Sequence, residues 1–231
     1  MPMTAQDFVQ RFMDAAFDQA NTRWPAPEVI RYANDGQRDI ALHRPDAFTT
    51  TGELTTVAGT RQALPEGATK LLRALHNVTG GKRVRIVSHE DLDAAVPGWH
   101  AATQKAVIVN IAYDERFPLE WYCYPPSDGT AKVLAGWSIT PTDIPAPSGN
   151  TKSTCTGNVS VSDLFVNALL DYTLYRAYAK DGGIEENLEK ARFRYQLYAD
   201  AIGIEETQRL RFGPNANSPQ APRHPPTKPA F

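Results

Sequence analysis

Cysteine is nearly absent from this sequence. Only Cys123 and Cys155 occur, and neither has a partner at a metal-binding or redox spacing. A disulfide between them stays open. Two free thiols in a reducing cytosol are the expectation, because a chain this long does not need a covalent staple. Long apolar runs are also missing. Nothing approaches the roughly 18 consecutive apolar residues of a membrane span. The opening stretch "MPMTAQDFVQRFMDAAFDQ" carries acids inside its apolar part, unlike a signal peptide. A protein made and used in solution is expected. Charge of one sign is lacking too: 24 Lys and Arg face 26 Asp and Glu, a net charge of −2. That argues against a dedicated nucleic-acid binder, whose domain is usually strongly basic, but not against a local basic face.

Catalytic signatures are absent as well. There is no phosphate-binding P-loop, no dinucleotide fingerprint and no GxSxG elbow. His43, His76, His89, His100 and His224 are scattered, without HxH or HExxH spacing. "SHEDLD" gathers His89, Glu90, Asp91 and Asp93, a set that suggests a divalent metal. A capped helical turn explains the same residues, since acids favour a helix N-terminus. No cofactor and no metal are expected, and an enzyme of unrecognised class has no centre to point to.

What is present is globular. The apolar and charged fractions, 42% and 22%, allow a core. Thr4 and Asp7 open a first helix whose apolar face is Phe8, Phe12, Ala15 and Ala16. Pro25 or Pro27 starts a second, buried through Val29, Ile30, Ala33, Gln37, Ile40 and Ala41, and ended at Arg44 by Pro45. From about Thr49 to Thr140 come five or six short runs rich in Val, Ile, Thr and aromatics, split by Gly, Pro and Asp. Such spacing predicts an antiparallel sandwich or small barrel. Within it, "SHEDLDAAVPGW" reads as one helical turn capped by Ser88 and stopped by Pro97. "SVSDLFVNALLDYTLYRAYAKD" follows a loop and predicts a helix capped by Ser160 or Ser162. Its expected stripe is Leu164, Phe165, Ala168, Leu169, Tyr172, Tyr175 and Ala179. Gly182 and Gly183 turn the chain into an antiparallel partner helix ended by Gly203, with Glu186 and Lys190 paired at i and i+4.

The expected fold class is therefore α+β: a helical bundle built from both chain ends, with an inserted antiparallel β-sandwich or barrel-like region and an extended tail. The divisions are 1–48 for the N-terminal helices, 49–145 for the β insertion, 146–212 for the C-terminal hairpin and 213–231 for the tail. That tail, "GPNANSPQAPRHPPTKPAF", holds six prolines and no acid. Two further features invite a binding role. "GGKRVRIV" places Lys82, Arg83 and Arg85 at a turn and strand start, either as a solvated edge or as a phosphate-facing loop. "EWYCYPP" sets Trp121, Tyr122 and Tyr124 around Cys123 at strand period, so one face is core or interface rather than a stacking platform for bases.

Four strings in order carry a resemblance: "EVIRYANDGQRDIALHRPDAF", "LPEGATKLLRALHNV" with "VSHEDLDAAVPGWH", "YDERFPLEWYCYPP", and "VSDLFVNALLDYTLYRAYAKD". Across about residues 5–203 the chain resembles the head-to-tail adaptor proteins of tailed bacteriophages, of the tubular-protein-A kind in short-tailed phages. The resemblance implies a structural virion protein, assembled in the host cytoplasm and located at the head–tail interface. It implies a homo-oligomeric ring, usually twelve-fold, under the portal protein. Such a ring joins the portal to a tail or nozzle protein and passes double-stranded DNA without sequence-specific binding or membrane contact. No catalytic residues transfer. Arg209, Arg211, Phe212, Arg223, Pro225, Pro226, Lys228 and Phe231 are the expected portal-binding residues of the tail. Lys82, Arg83 and Arg85 are expected to face DNA or the tail. The competing readings are a nucleic-acid-binding module using Lys82–Arg85 and exposed aromatics, and a small enzyme.

Overall fold

The computed structural model describes residues 3–180 and 185–204. Its first helix, α1, runs Ala5–Ala16. The Thr4 hydroxyl accepts a hydrogen bond from the Asp7 backbone N–H at 3.1 Å, satisfying one of the open donors of the first turn. Phe8 and Phe12 are fully buried. The second helix, α2, spans Ala26–His43 between Pro25 and Arg44, and has Pro27 in its first turn. Pro45 drives Arg44 to φ −128° and ψ 74°, outside helical space.

Seven strands and one short helix follow: β1 Thr49–Thr55, β2 Ala58–Ala63, β3 Ala68–Asn77, β4 Arg85–Val87, α3 His89–Ala95, β5 Asn110–Ala112, β6 Glu120–Asp128 and β7 Lys132–Ile139. Ser88 caps α3, its hydroxyl accepting from the Asp91 N–H at 3.0 Å. The strands form two sheets, ordered β1-β7-β3 and β2-β6-β5-β4. The chain crosses between sheets at 56–57, where Thr56 meets the Ser127 hydroxyl and donates to the Ala131 carbonyl. β1 and β2 therefore pair in different sheets and the strands do not close into a barrel. The expectation of a wholly antiparallel region also needs correction. β4 and β5 are parallel, because the stretch between them, which carries α3, is long enough for the crossover a parallel pair requires.

Two further helices complete the described chain: α4 Val166–Lys180 and α5 Glu185–Ile202. The molecule is thus mixed α+β, with five α-helices and two sheets among the described residues. One buried cluster joins α1, α2, α4 and α5 with the 144–161 connection. A second joins the two sheets around Trp121, Ile111, Val133 and Leu71. Ile139, at the end of β7, packs against both.

The predicted stripe of α4 is only partly right. A single 3-10 turn, Asp163–Phe165, precedes the helix, and Ser162 makes no side-chain cap. The Ser160 hydroxyl instead donates to Gln37. Leu164 is 87% exposed, and Ala179 is exposed too. Thr173, Leu174, Ala177 and Tyr178 are buried in their place. The physical reason is that α4 lies against α1, α2 and α5, so it buries several faces rather than one stripe. On α5, Lys190 pairs with Glu186 at 2.6 Å and Gly203 ends the helix at φ +69°. The Gly182–Gly183 turn lies outside the described residues. Cys123 and Cys155 are both free and buried, and burial raises both thiols above their ordinary pKa.

Candidate interaction surfaces

Asn77 builds the basic turn. Its side-chain amide donates to the carbonyls of Lys82 and Ile108 at 2.9 and 2.7 Å, and its Oδ1 accepts from the Ile108 N–H at 2.8 Å. The loop is thereby pinned to the buried edge of the sheets, and Lys82, Arg83 and Arg85 project from it exposed. None of the three is in a salt bridge among the described residues.

The aromatic strand divides its faces as the period of two requires. Trp121 and Cys123 lie in the inter-sheet core. Tyr122 and Tyr124 sit half-buried on the other face, beside a small cluster of Leu92, Trp99 and Ala112. Leu92 of α3 and Trp99 pack against part of that face. What remains is an open cleft of about 420 Å³ lined by His89, His100, Asp114, Phe117, Glu120 and Tyr122. His89 stands edge-on to Tyr122 at 4.9 Å between centroids. His100 stacks on Trp99 at 3.8 Å, and the Trp99 indole N–H is anchored on the Asp93 carboxylate at 2.7 Å. Arg116 grips Asp114 with two donors, at 3.0 and 2.8 Å, holding its carboxyl below the usual range. Arg61 does the same for Glu120.

Three residues of "SHEDLD" are thus engaged separately. His89 packs on rings, the Asp91 N–H serves the cap and Asp93 holds Trp99. Among the described residues, no group of three or more His, Cys, Asp and Glu side chains is placed to hold a metal ion. A second groove, of about 580 Å³ and mainly apolar, separates the end of α2 from the sheets. Leu42, Pro45, Pro118 and Pro141 line it, and Lys70 bridges its wall to Glu115 at 2.9 Å.

The large exposed apolar residues were missed by sequence reasoning. Phe17, Leu42, Phe117, Leu164 and Phe193 are between 60% and 92% exposed. Phe117, inside the polar run "YDERF", carried a readable signal; Phe17 and Leu164 sit in helical periodicity and carried none. The tail residues Arg209, Arg211, Phe212, Arg223, Pro225, Pro226, Lys228 and Phe231 lie outside the described residues.

No helix is long and apolar enough to cross a membrane among the described residues. No curated protein matches the chain. A family model does, over residues 3–223, and it is that of the SU10 adaptor protein. With nearly the whole sequence inside that match, this mixed α+β chain belongs to the SU10 adaptor protein family, a family of bacteriophage structural adaptors.

Proposed function

We propose that this chain is a head-to-tail adaptor that forms a closed ring beneath the portal. The ring, of twelve copies, joins the portal to the tail or nozzle and continues the DNA channel. The match over residues 3–223 carries this reading. The distribution of exposed apolar residues supports it. Phe17, Leu164 and Phe193 lie on helical parts of the chain, Leu42 at the groove and Phe117 at the cleft. A ring subunit needs apolar contacts on several sides, since heterologous interfaces use two different surfaces of one chain.

In this reading α1, α2, α4 and α5 act as a bundle, formed from residues 1–48 and 146–212, that makes the ring body. The insertion at 49–145 acts as a sandwich-like lateral and tail-side surface, with Lys82, Arg83 and Arg85 toward DNA or the tail protein. Residues 213–231 extend from the body to dock the adaptor on the portal. A proline-rich strand suits that task because it has little conformational freedom to lose on binding. Assembly takes place in the host cytoplasm, on the portal as template.

The deciding measurement is native mass of the full chain alone and mixed with portal rings. A monomer that becomes a stoichiometric ring only beside the portal supports the reading; absence of association overturns it. Removal of residues 213–231 is expected to leave the circular dichroism unchanged and abolish docking. Undiminished docking would remove the tail from the mechanism.

A further inference from the structure

We infer that the cleft of His89, His100, Phe117 and Tyr122 is a receptor for this chain's own terminus, "APRHPPTKPAF" at 221–231. The free protein holds the segment there and yields it when the tail docks elsewhere. The inference rests on the proposed function only in treating the tail as a docking segment.

The cleft has the chemistry that reads extended, proline-rich strands. Such strands have no internal hydrogen bonds and present ring faces and carbonyls, and they seat on aromatic-lined grooves. Here the wall is rigid. His100 lies flat on Trp99, Trp99 is fixed through Asp93, and the Thr60 hydroxyl meets His100 Nδ1 at 3.0 Å. Opposite them Phe117 stands 65% exposed, an apolar face with no cover among the described residues.

Two carboxylates line the cleft, Asp114 and Glu120, and both are held in their charged form by the guanidiniums of Arg116 and Arg61, while Glu90 lies near enough to act on Arg116. Residues 213–231 have no acid and carry Arg223 and Lys228 beside their prolines.

Reach is sufficient. Nineteen residue steps lead from Ile204 to Arg223, about 59 Å at roughly 3.1 Å per step in an extended proline-rich form. A compact chain of this length has a radius of gyration of about 17 Å. Tethering puts the segment at an effective concentration in the millimolar range, so a weak contact is enough.

The test is photo-crosslinking in the full chain bearing Phe231→p-benzoylphenylalanine. The expected products join position 231 to peptides from 89–100 or 114–122, with a yield independent of dilution. Phe117→Ser, at an exposed site, is expected to lower that yield about tenfold, the effect of losing one contact worth about 1.4 kcal/mol. His100→Ala serves as the second variant if the first disturbs the circular dichroism. Crosslinks confined to other segments, or none above background, overturn the inference. Native mass with portal rings separates the two readings: rings without cleft crosslinks sink only the receptor, and cleft crosslinks without rings sink only the ring.

Discussion

Gln37 is fully buried, and its side chain joins the helices to the strand-to-helix connection. Its Oε1 accepts from the Ser160 N–H and hydroxyl at 2.7 and 2.8 Å, and from the Val161 N–H at 3.3 Å. Its Nε2 donates to Asn34, which in turn accepts from the Ile144 N–H. Gln37→Leu keeps the volume but strands these donors in the interior. The expected loss is about 2–4 kcal/mol of unfolding free energy, read from urea denaturation. Helical spacing placed Gln37 on the buried side of α2; its partners Ser160 and Val161, more than a hundred residues away, left no trace in the local pattern. A second residue-scale expectation concerns pH. The Tyr32 hydroxyl donates to Glu28 at 2.6 Å, and burial, then the Glu28 carboxylate, pushes its pKa up to about 12. The folded state therefore retains a proton that the unfolded chain releases near pH 10. This contribution is whole below pH 10 and lost as pH rises toward 12. Urea midpoints measured across that window should fall, and Tyr32→Phe should flatten the fall. Glu28 sets the acid side. Burial raises its pKa, but Lys180 and Tyr32 outweigh this and hold it below the ordinary carboxylate value. Its contribution is present above about pH 4.5 and is lost as pH falls through the lowered value.

Among the elements, α2 and α4 pack tightly where they meet at Gly36. A Cβ built at Gly36 would lie 2.7 Å from both Leu169 Cδ1 and Tyr172 Cδ1. Propensity alone favours alanine over glycine inside a helix by about 0.5–1 kcal/mol. The contact reverses the sign: Gly36→Ala is expected to destabilise by about 1–3 kcal/mol through overpacking. A thermal scan showing a raised midpoint would refute that packing. Element boundaries with local causes were legible in the sequence. Thr4 and Ser88 cap their helices through their own hydroxyls, and Pro45 stops α2 by clashing with its neighbour. What was illegible depends on neighbours in space. The outward turn of Leu164 and the burial of Thr173 follow from the three helices around α4. Thr173 can be buried because its hydroxyl donates to the Leu169 carbonyl at 2.8 Å. The parallel β4–β5 pair was hidden because strand period is the same in either direction; only the long stretch between them, which carries α3, hinted at a crossover. The Phe117 cleft was hidden for a related reason. Its rings come from three separate stretches, and only "EWYCYPP" drew notice as aromatic.

At the scale of the whole molecule, charge decides between a conduit and a binder. A net charge of −2 gives no general attraction for DNA. Among the described residues, the competing nucleic-acid reading rests on the exposed trio Lys82, Arg83 and Arg85. The two readings differ in salt dependence. Each phosphate contact adds about 0.9 to the slope of log affinity against log salt on duplex DNA. A nucleic-acid module working through this trio would lose about 2.7 from that slope on triple substitution Lys82→Glu, Arg83→Glu and Arg85→Glu. An adaptor that lets DNA slide should bind duplex too weakly at physiological salt for a slope to be measured. The triple variant should also still assemble on portal rings. Measuring duplex binding by fluorescence anisotropy between 50 and 200 mM salt, roughly the range over which such contacts are lost, decides the matter. A steep slope abolished by the triple substitution would make the basic turn a DNA-binding site and displace the conduit reading.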